Sequence, residues 1–178
     1  MCIIVDACTF ASVFDVQSAD HAHFHPVLEW LVDGKGKLVY GGTRYRDELR
    51  RSPRYLHLFV QFKKAGKIVE IEDTQVDAIQ QNLEAHVSNP DFDDAHIVGI
   101  VTVSGCLLIC TNDKRAIPYL KRADLYPRGT TRPKIYSSRR NKRLLADAHI
   151  AEVCKPTIKG AKPLRALFAL WIHKWRDA

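Results

Sequence analysis

Residues 93–113 read DDAHIVGIVTVSGCLLICTND: two acids, a long apolar stretch, a glycine, a second apolar stretch and a closing acid. The first stretch reads as a buried helix begun by acids. The second, CLLIC, is continuously apolar, as expected of a central strand covered on both faces. A helix feeding such a strand is the repeating unit of a parallel α/β sheet, and the rest of the chain repeats it. Working outward, the pattern predicts a strand at 2–5, a helix from about 26 to 33 begun at Pro26 and closed by Gly34, and a strand KLVYGG at 37–42. Helices follow over TRYRDELRRS and RYLHLFVQFKKAG, then a strand KIVEIE and a helix TQVDAIQQNLEAH opened by Thr74. Beyond the opening stretch come a helix KRAIPYLKRAD and a short edge strand KIYSS. The fold class is therefore α/β, three layers, with a mostly parallel central sheet flanked by helices. Ligands of such sheets lie beyond the carboxyl ends of the strands.

At 178 residues and 46% hydrophobic, the chain is long enough for one domain with a sizeable core. We assign residues 1–150 to that domain and 151–178 to a C-terminal basic amphipathic extension. In PLRALFALWIHKWRDA, Leu164, Leu167, Phe168, Trp171 and Trp175 share one helical face, suited to packing on the domain or on a partner. No stretch approaches the roughly 18 apolar residues of a membrane span, and MCIIVDACTF lacks the basic start of a secretory leader, so a cytoplasmic protein is expected. The five cysteines form no C-x-x-C and read as reduced thiols, mostly of the core.

The formal net charge is +7, and residues 125–146 carry Arg128, Arg132, Lys134, Arg139, Arg140, Lys142 and Arg143 with no acid among them. That segment alone matches the excess. Tyr126 and Tyr136 are interleaved with the cations, as in a surface that tracks phosphates and stacks bases, which suits a nucleic acid. A solvated charged face is the plainer alternative.

Four acids are placed to meet. Asp6 follows the strand CIIV, Glu48 lies in the helix RYRDELRR, Asp94 starts the helix of the opening stretch, and Asp113 follows the strand CLLIC. Singly, each aspartate suits an N-cap, and Glu48 suits a pair with Arg44 or Arg51. Gathered at one sheet edge, their mutual repulsion is best offset by a divalent cation, and oxygen-only ligation points to Mg²⁺ or Mn²⁺.

The segments IIVDACTF, DELRR, DDAHIVGIVTVSG and LLICTND, in that order over roughly residues 2 to 120, resemble the PIN-domain ribonucleases, including the toxins of toxin–antitoxin pairs. The resemblance implies a Mg²⁺- or Mn²⁺-dependent endoribonuclease leaving 5′-phosphate and 3′-hydroxyl ends. It makes Asp6, Glu48, Asp94 and Asp113 the catalytic and metal-binding acids, with Asp47 and Asp93 as neighbouring alternatives and Thr111 and Asn112 as supports. Cys8 stands where many members have a small polar residue. The implied partners are RNA, an antitoxin or inhibitor, and a second copy of the chain.

Other chemistries lack their residues. An aspartyl-phosphate phosphatase needs an aspartate two after Asp6, where Cys8 stands, and DGKGKLV is not a phosphate-binding glycine loop. His21, His23 and His25 read as exposed loop residues, and His96 as a core residue or a support behind the acids rather than a ligand.

Overall fold

The computed structural model describes residues 2–87, 89, 91–146, 150–157, 159 and 166. Five strands, β1 (Cys2–Val5), β2 (Lys37–Gly41), β3 (Ile68–Ile71), β4 (Leu108–Cys110) and β5 (Lys134–Tyr136), form one sheet in the order β3-β2-β1-β4-β5, with every pair parallel. Around them lie α1 (Phe10–Phe14), α2 (His21–Val32), α3 (Thr43–Arg50), α4 (Pro53–Lys64), α5 (Asp73–His86), α6 (Ala95–Ser104) and α7 (Ala116–Leu120). The α/β class read from the sequence is thus the observed one. No helix among the described residues is long and apolar enough to cross a membrane.

β1 and β4 are wholly buried, which explains why their sequences run apolar without alternation. The chain moves outward from β1 through β2 to β3, then returns by α5 and α6 to add β4 and β5 on the other side. The strand order therefore reverses between β1 and β4, where Ile4 pairs with Ile109 and Val5 with Cys110. A crevice at this switch point is the general ligand site of open parallel sheets.

α6 packs on β1, β2 and β3 with α5 against it. Gly99 permits that approach, since a Cβ there would stand 2.9 Å from the Val76 carbonyl oxygen. Gly42, at φ +84°, makes the turn from β2 into α3 where a Cβ would strike Val76 at 2.6 Å. α1, α3 and α4 meet through rings: Phe10 lies 5.3 Å from Tyr55, 5.4 Å from Phe59 and 6.1 Å from Tyr45. The Tyr45 hydroxyl donates to the Val5 carbonyl at 2.5 Å, pinning α3 to the carboxyl end of β1.

Three local expectations change. α2 begins at His21, with Pro26 inside it, because the buried stripe Phe24, Val27, Leu28, Leu31 starts before the proline. His21, His23 and His25 are therefore helical. α5 begins at Asp73, and Thr74 bonds Glu72 instead of capping. Tyr126 and Tyr136 are no stacking platforms: both are buried, their hydroxyls donating to the carbonyls of Leu120 and His23. All five cysteines are free thiols, and only Cys8 is exposed. Residue 166 aside, the helix expected from about Pro163 to Trp175 lies outside the described residues.

Candidate active site

β1 delivers Asp6 and β4 delivers Thr111 to adjacent points at the carboxyl ends of the two strands, and the sheet is extended one step by the Asp6 amide donating to the Cys110 carbonyl at 3.0 Å. The Asp6 side chain is nearly buried and accepts three bonds: from the Thr111 hydroxyl at 2.6 Å, the Cys8 amide at 3.2 Å and the Cys8 thiol at 3.0 Å. Thr111 Oγ1 in turn accepts the Asp113 amide at 3.1 Å. One hydroxyl thus ties the ends of β1 and β4 together. Cys8 is exposed by area, yet its sulfur is turned onto Asp6, and burial first, then the Asp6 charge, push its thiol up. It is a poor nucleophile.

Asp113 caps the entry to α7 by accepting the amides of Arg115 at 2.7 Å and Ala116 at 3.3 Å. Burial acts to raise its carboxyl, but those bonds and the Arg115 charge hold it below the usual carboxylate range. Asp94 behaves differently. It occupies the N-cap of α6 without a side-chain capping bond. Its carboxyl is pushed up to about 7, chiefly by burial and next by the charge of Asp6, with Asp93 and Asp113 adding and His96 opposing. Asp6, Asp94 and Asp113 therefore share one electrostatic neighbourhood.

Glu48 approaches from α3, one helical turn after Tyr45 and on the same face. Its carboxyl is bonded by Arg44 Nε at 3.4 Å and faces His96 Nε2 at 3.6 Å. Burial acts to raise it, but His96 and Arg44 bring it below its usual range. At 3.6 Å the His96 contribution is one of charge, present when the ring is protonated. His96 is fully buried, and neither ring nitrogen has a hydrogen-bond partner. The neighbouring alternatives are placed less favourably. Asp47 is half-exposed and paired with Arg50 at 2.7 Å, and Asp93 is exposed.

Among the described residues no three His, Cys, Asp or Glu side chains form a group able to enclose a metal ion. An enclosing cage is what Zn²⁺ needs. Mg²⁺ keeps several waters and is held through one or two carboxylates and substrate phosphates, so oxygen donors with an unrelieved like-charge pair, Asp6 and Asp94, fit it.

The basic segment is divided by β5. Lys134 pairs with Leu108 at the amino end of the strand, with Arg128 and Arg132 leading into it, whereas Arg139, Arg140, Lys142 and Arg143 form a 3₁₀ segment (Arg139–Leu144) past its carboxyl end. Only the second group lies on the side of the acids. Arg140 lines a cleft of about 300 Å³ with Asn112, Ser137 and Ser138, and Asn112 Oδ1 accepts the Cys8 thiol at 3.6 Å. Arg44, Arg46, Arg50 and Arg115 each meet a carboxylate in the fold. Arg139, Arg140, Lys142 and Arg143 have no carboxylate partner among the described residues.

No protein-family model matches the chain, and no curated protein and no solved structure matches it. The reading of the site rests on its own residues.

Sequence reasoning misses Tyr45 and Ser138. Tyr45 is open to discovery, being three residues before Glu48 on one helical face. Ser138 carries no signal, since only the pairing of β4 with β5 brings it beside Asn112.

Proposed function

We propose that the chain is a Mg²⁺- or Mn²⁺-dependent endoribonuclease whose acids are Asp6, Glu48, Asp94 and Asp113. The observation carrying this reading is Asp94: a partly buried carboxyl that caps nothing and is pushed up first by its burial and next by the charge of Asp6. Such an arrangement costs stability and serves a charged ligand. A bound Mg²⁺ or Mn²⁺ supplies the positive charge that makes water a nucleophile near neutral pH and offsets the charge gathering on the phosphodiester. Asp6, Asp94 and Asp113 would hold it. Thr111 fixes the Asp6 carboxylate, and the α7 entry amides fix Asp113. Glu48, held against its burial below its usual range by His96 and Arg44, would join them from α3. Arg139, Arg140, Lys142 and Arg143 attract the backbone toward this edge.

The resemblance supports a cytoplasmic toxin held in check by an antitoxin covering the acids, working as a homodimer. A processing or defence nuclease would use the same chemistry. The rival from another class is a non-catalytic module for RNA or a partner protein. The test is product chemistry: the full chain with Mn²⁺ should cut unstructured RNA to fragments bearing 5′-phosphates, which a ligase rejoins without kinase treatment. Intact RNA, or fragments with 2′,3′-cyclic ends, would defeat the proposal.

A further inference from the structure

A second pocket of about 500 Å³ lies between α2 and the 3₁₀ segment, lined by His21, His25, Pro26 and Glu29 on one side and Arg139 and Lys142 on the other. It is separate from the acids. The cleft of Arg140, Ser138 and Asn112 joins the same 3₁₀ segment to Cys8 and Asp6.

The pocket's chemistry is mixed in a particular way. Arg139 and Lys142 are exposed cations without carboxylate partners among the described residues. The His21 and His25 rings stand edge to face at 5.2 Å, a flat-sided aromatic wall. His21 Nδ1 lies 3.1 Å from the Ser12 carbonyl, which can only accept, so Nδ1 carries the proton and Nε2 of the neutral ring is an acceptor. That Nε2 is buried and has no partner. Glu29, the sole carboxylate of the lining, stands 3.8 Å from His25. Two cations and an aromatic wall ask for an anion joined to a flat ring.

We infer that this pocket binds one nucleotide of a single-stranded RNA, its phosphate on Arg139 and Lys142 and its base against His21 and His25. It deepens the RNA-binding half of the proposed function and rests on it, while the cleavage half stands or falls separately. Because the Arg140 cleft intervenes, the nucleotide held here belongs some distance along the chain from the one cut, and the pocket rewards length.

Binding of 5′-labelled oligouridylates from four to about sixteen nucleotides, measured by anisotropy in EDTA, tests this on the full chain. The expected result is a step in affinity of tenfold or more once the oligomer is long enough to reach the pocket. That step should vanish in Arg139→Ser/Lys142→Ser and shrink in His25→Ser, while Asp6→Asn keeps it. Both cations are exposed, so the double variant should melt with the wild type. A step unchanged in the double variant, or one lost in Asp6→Asn, would overturn the inference. Titration with UMP and with inorganic phosphate separates the sources. UMP competing at the step supports the pocket, phosphate alone competing equally well reduces it to an anion site and overturns the base contact, and cleavage is not involved in any arm.

Discussion

Thr111 Oγ1 donates to Asp6 Oδ2 at 2.6 Å and accepts the Asp113 amide at 3.1 Å, so one buried hydroxyl sets two candidate ligands from neighbouring strands. A hydrogen bond to an ionised group contributes about 1.5–3 kcal/mol, and stranding its partner costs about as much. Thr111→Val should therefore lower kcat for RNA cleavage ten-fold or more and lower Tm, while Thr111→Ser, which keeps the hydroxyl, recovers most of both. Steady-state kinetics and thermal melts on the three proteins decide this; equal activity in Thr111→Val would show that Asp6 needs no such fixing.

Asp94 gives a pH dependence with a definite sign. Its folded-state carboxyl stands near 7, above the ordinary aspartate value of 3.8. A raised carboxyl contributes stability that is full below the unfolded pKa and lost as pH rises through the folded one. Asp94→Asn should thus raise Tm above about pH 7 and lose that advantage by about pH 4. The same proton competes with a cation, so stabilisation of the wild type by Mn²⁺ should fade as pH drops from 8 to 5. A Tm gain for Asp94→Asn that is the same at both ends would contradict the raised carboxyl.

Gly99 separates fold from site. Adding a Cβ 2.9 Å from the Val76 carbonyl oxygen forces α5 from α6, and overpacking of this kind costs about 1–3 kcal/mol. Gly99→Ala should shift the urea midpoint downward with kcat unchanged at temperatures where it is folded. A variant as stable as the wild type would mean that the helices separate freely.

The two halves of the basic segment should differ. Replacing Arg139, Arg140, Lys142 and Arg143 by Gln should flatten the dependence of RNA affinity on salt, the slope of log K against log salt falling by about 0.7 for each phosphate no longer neutralised. Replacing Arg128, Arg132 and Lys134 should leave the slope nearly intact, since Lys134 lies at the amino end of β5. Equal reductions would mean that RNA runs along the whole edge strand.

This division marks where the sequence stops being legible. Continuous apolar runs such as CIIV and LLIC announce buried parallel strands, and Asp6 and Asp113 follow those strands at their carboxyl ends, because both features are local. The basic run looks uniform in sequence but is cut by three strand residues, two of them buried. Tyr126 and Tyr136 sit among arginines yet turn inward, Tyr136 because β5 buries a face and Tyr126 because its hydroxyl bonds the Leu120 carbonyl at the end of α7. His21 and His25 read as a loop because Pro26 suits a helix start, and the stripe beginning at Phe24 outweighs that preference. The setting of Glu48 beside His96 depends on how α3 meets α6, which no spacing within either helix reveals.

If Asp6 serves a cation that cuts RNA, wild type and Asp6→Asn must differ when compared on one RNA in Mn²⁺ and in EDTA. Asn keeps the size of the side chain and one oxygen, enough for either the Thr111 hydroxyl on Oδ2 or the Cys8 amide on Oδ1, and it relieves the repulsion from Asp94, so the fold should be retained. The account predicts cleavage by the wild type in Mn²⁺, none in EDTA, and a rate at least a hundred-fold lower for Asp6→Asn in Mn²⁺ with RNA binding preserved. Full cleavage by folded Asp6→Asn, or wild-type cleavage undiminished in EDTA, would contradict it.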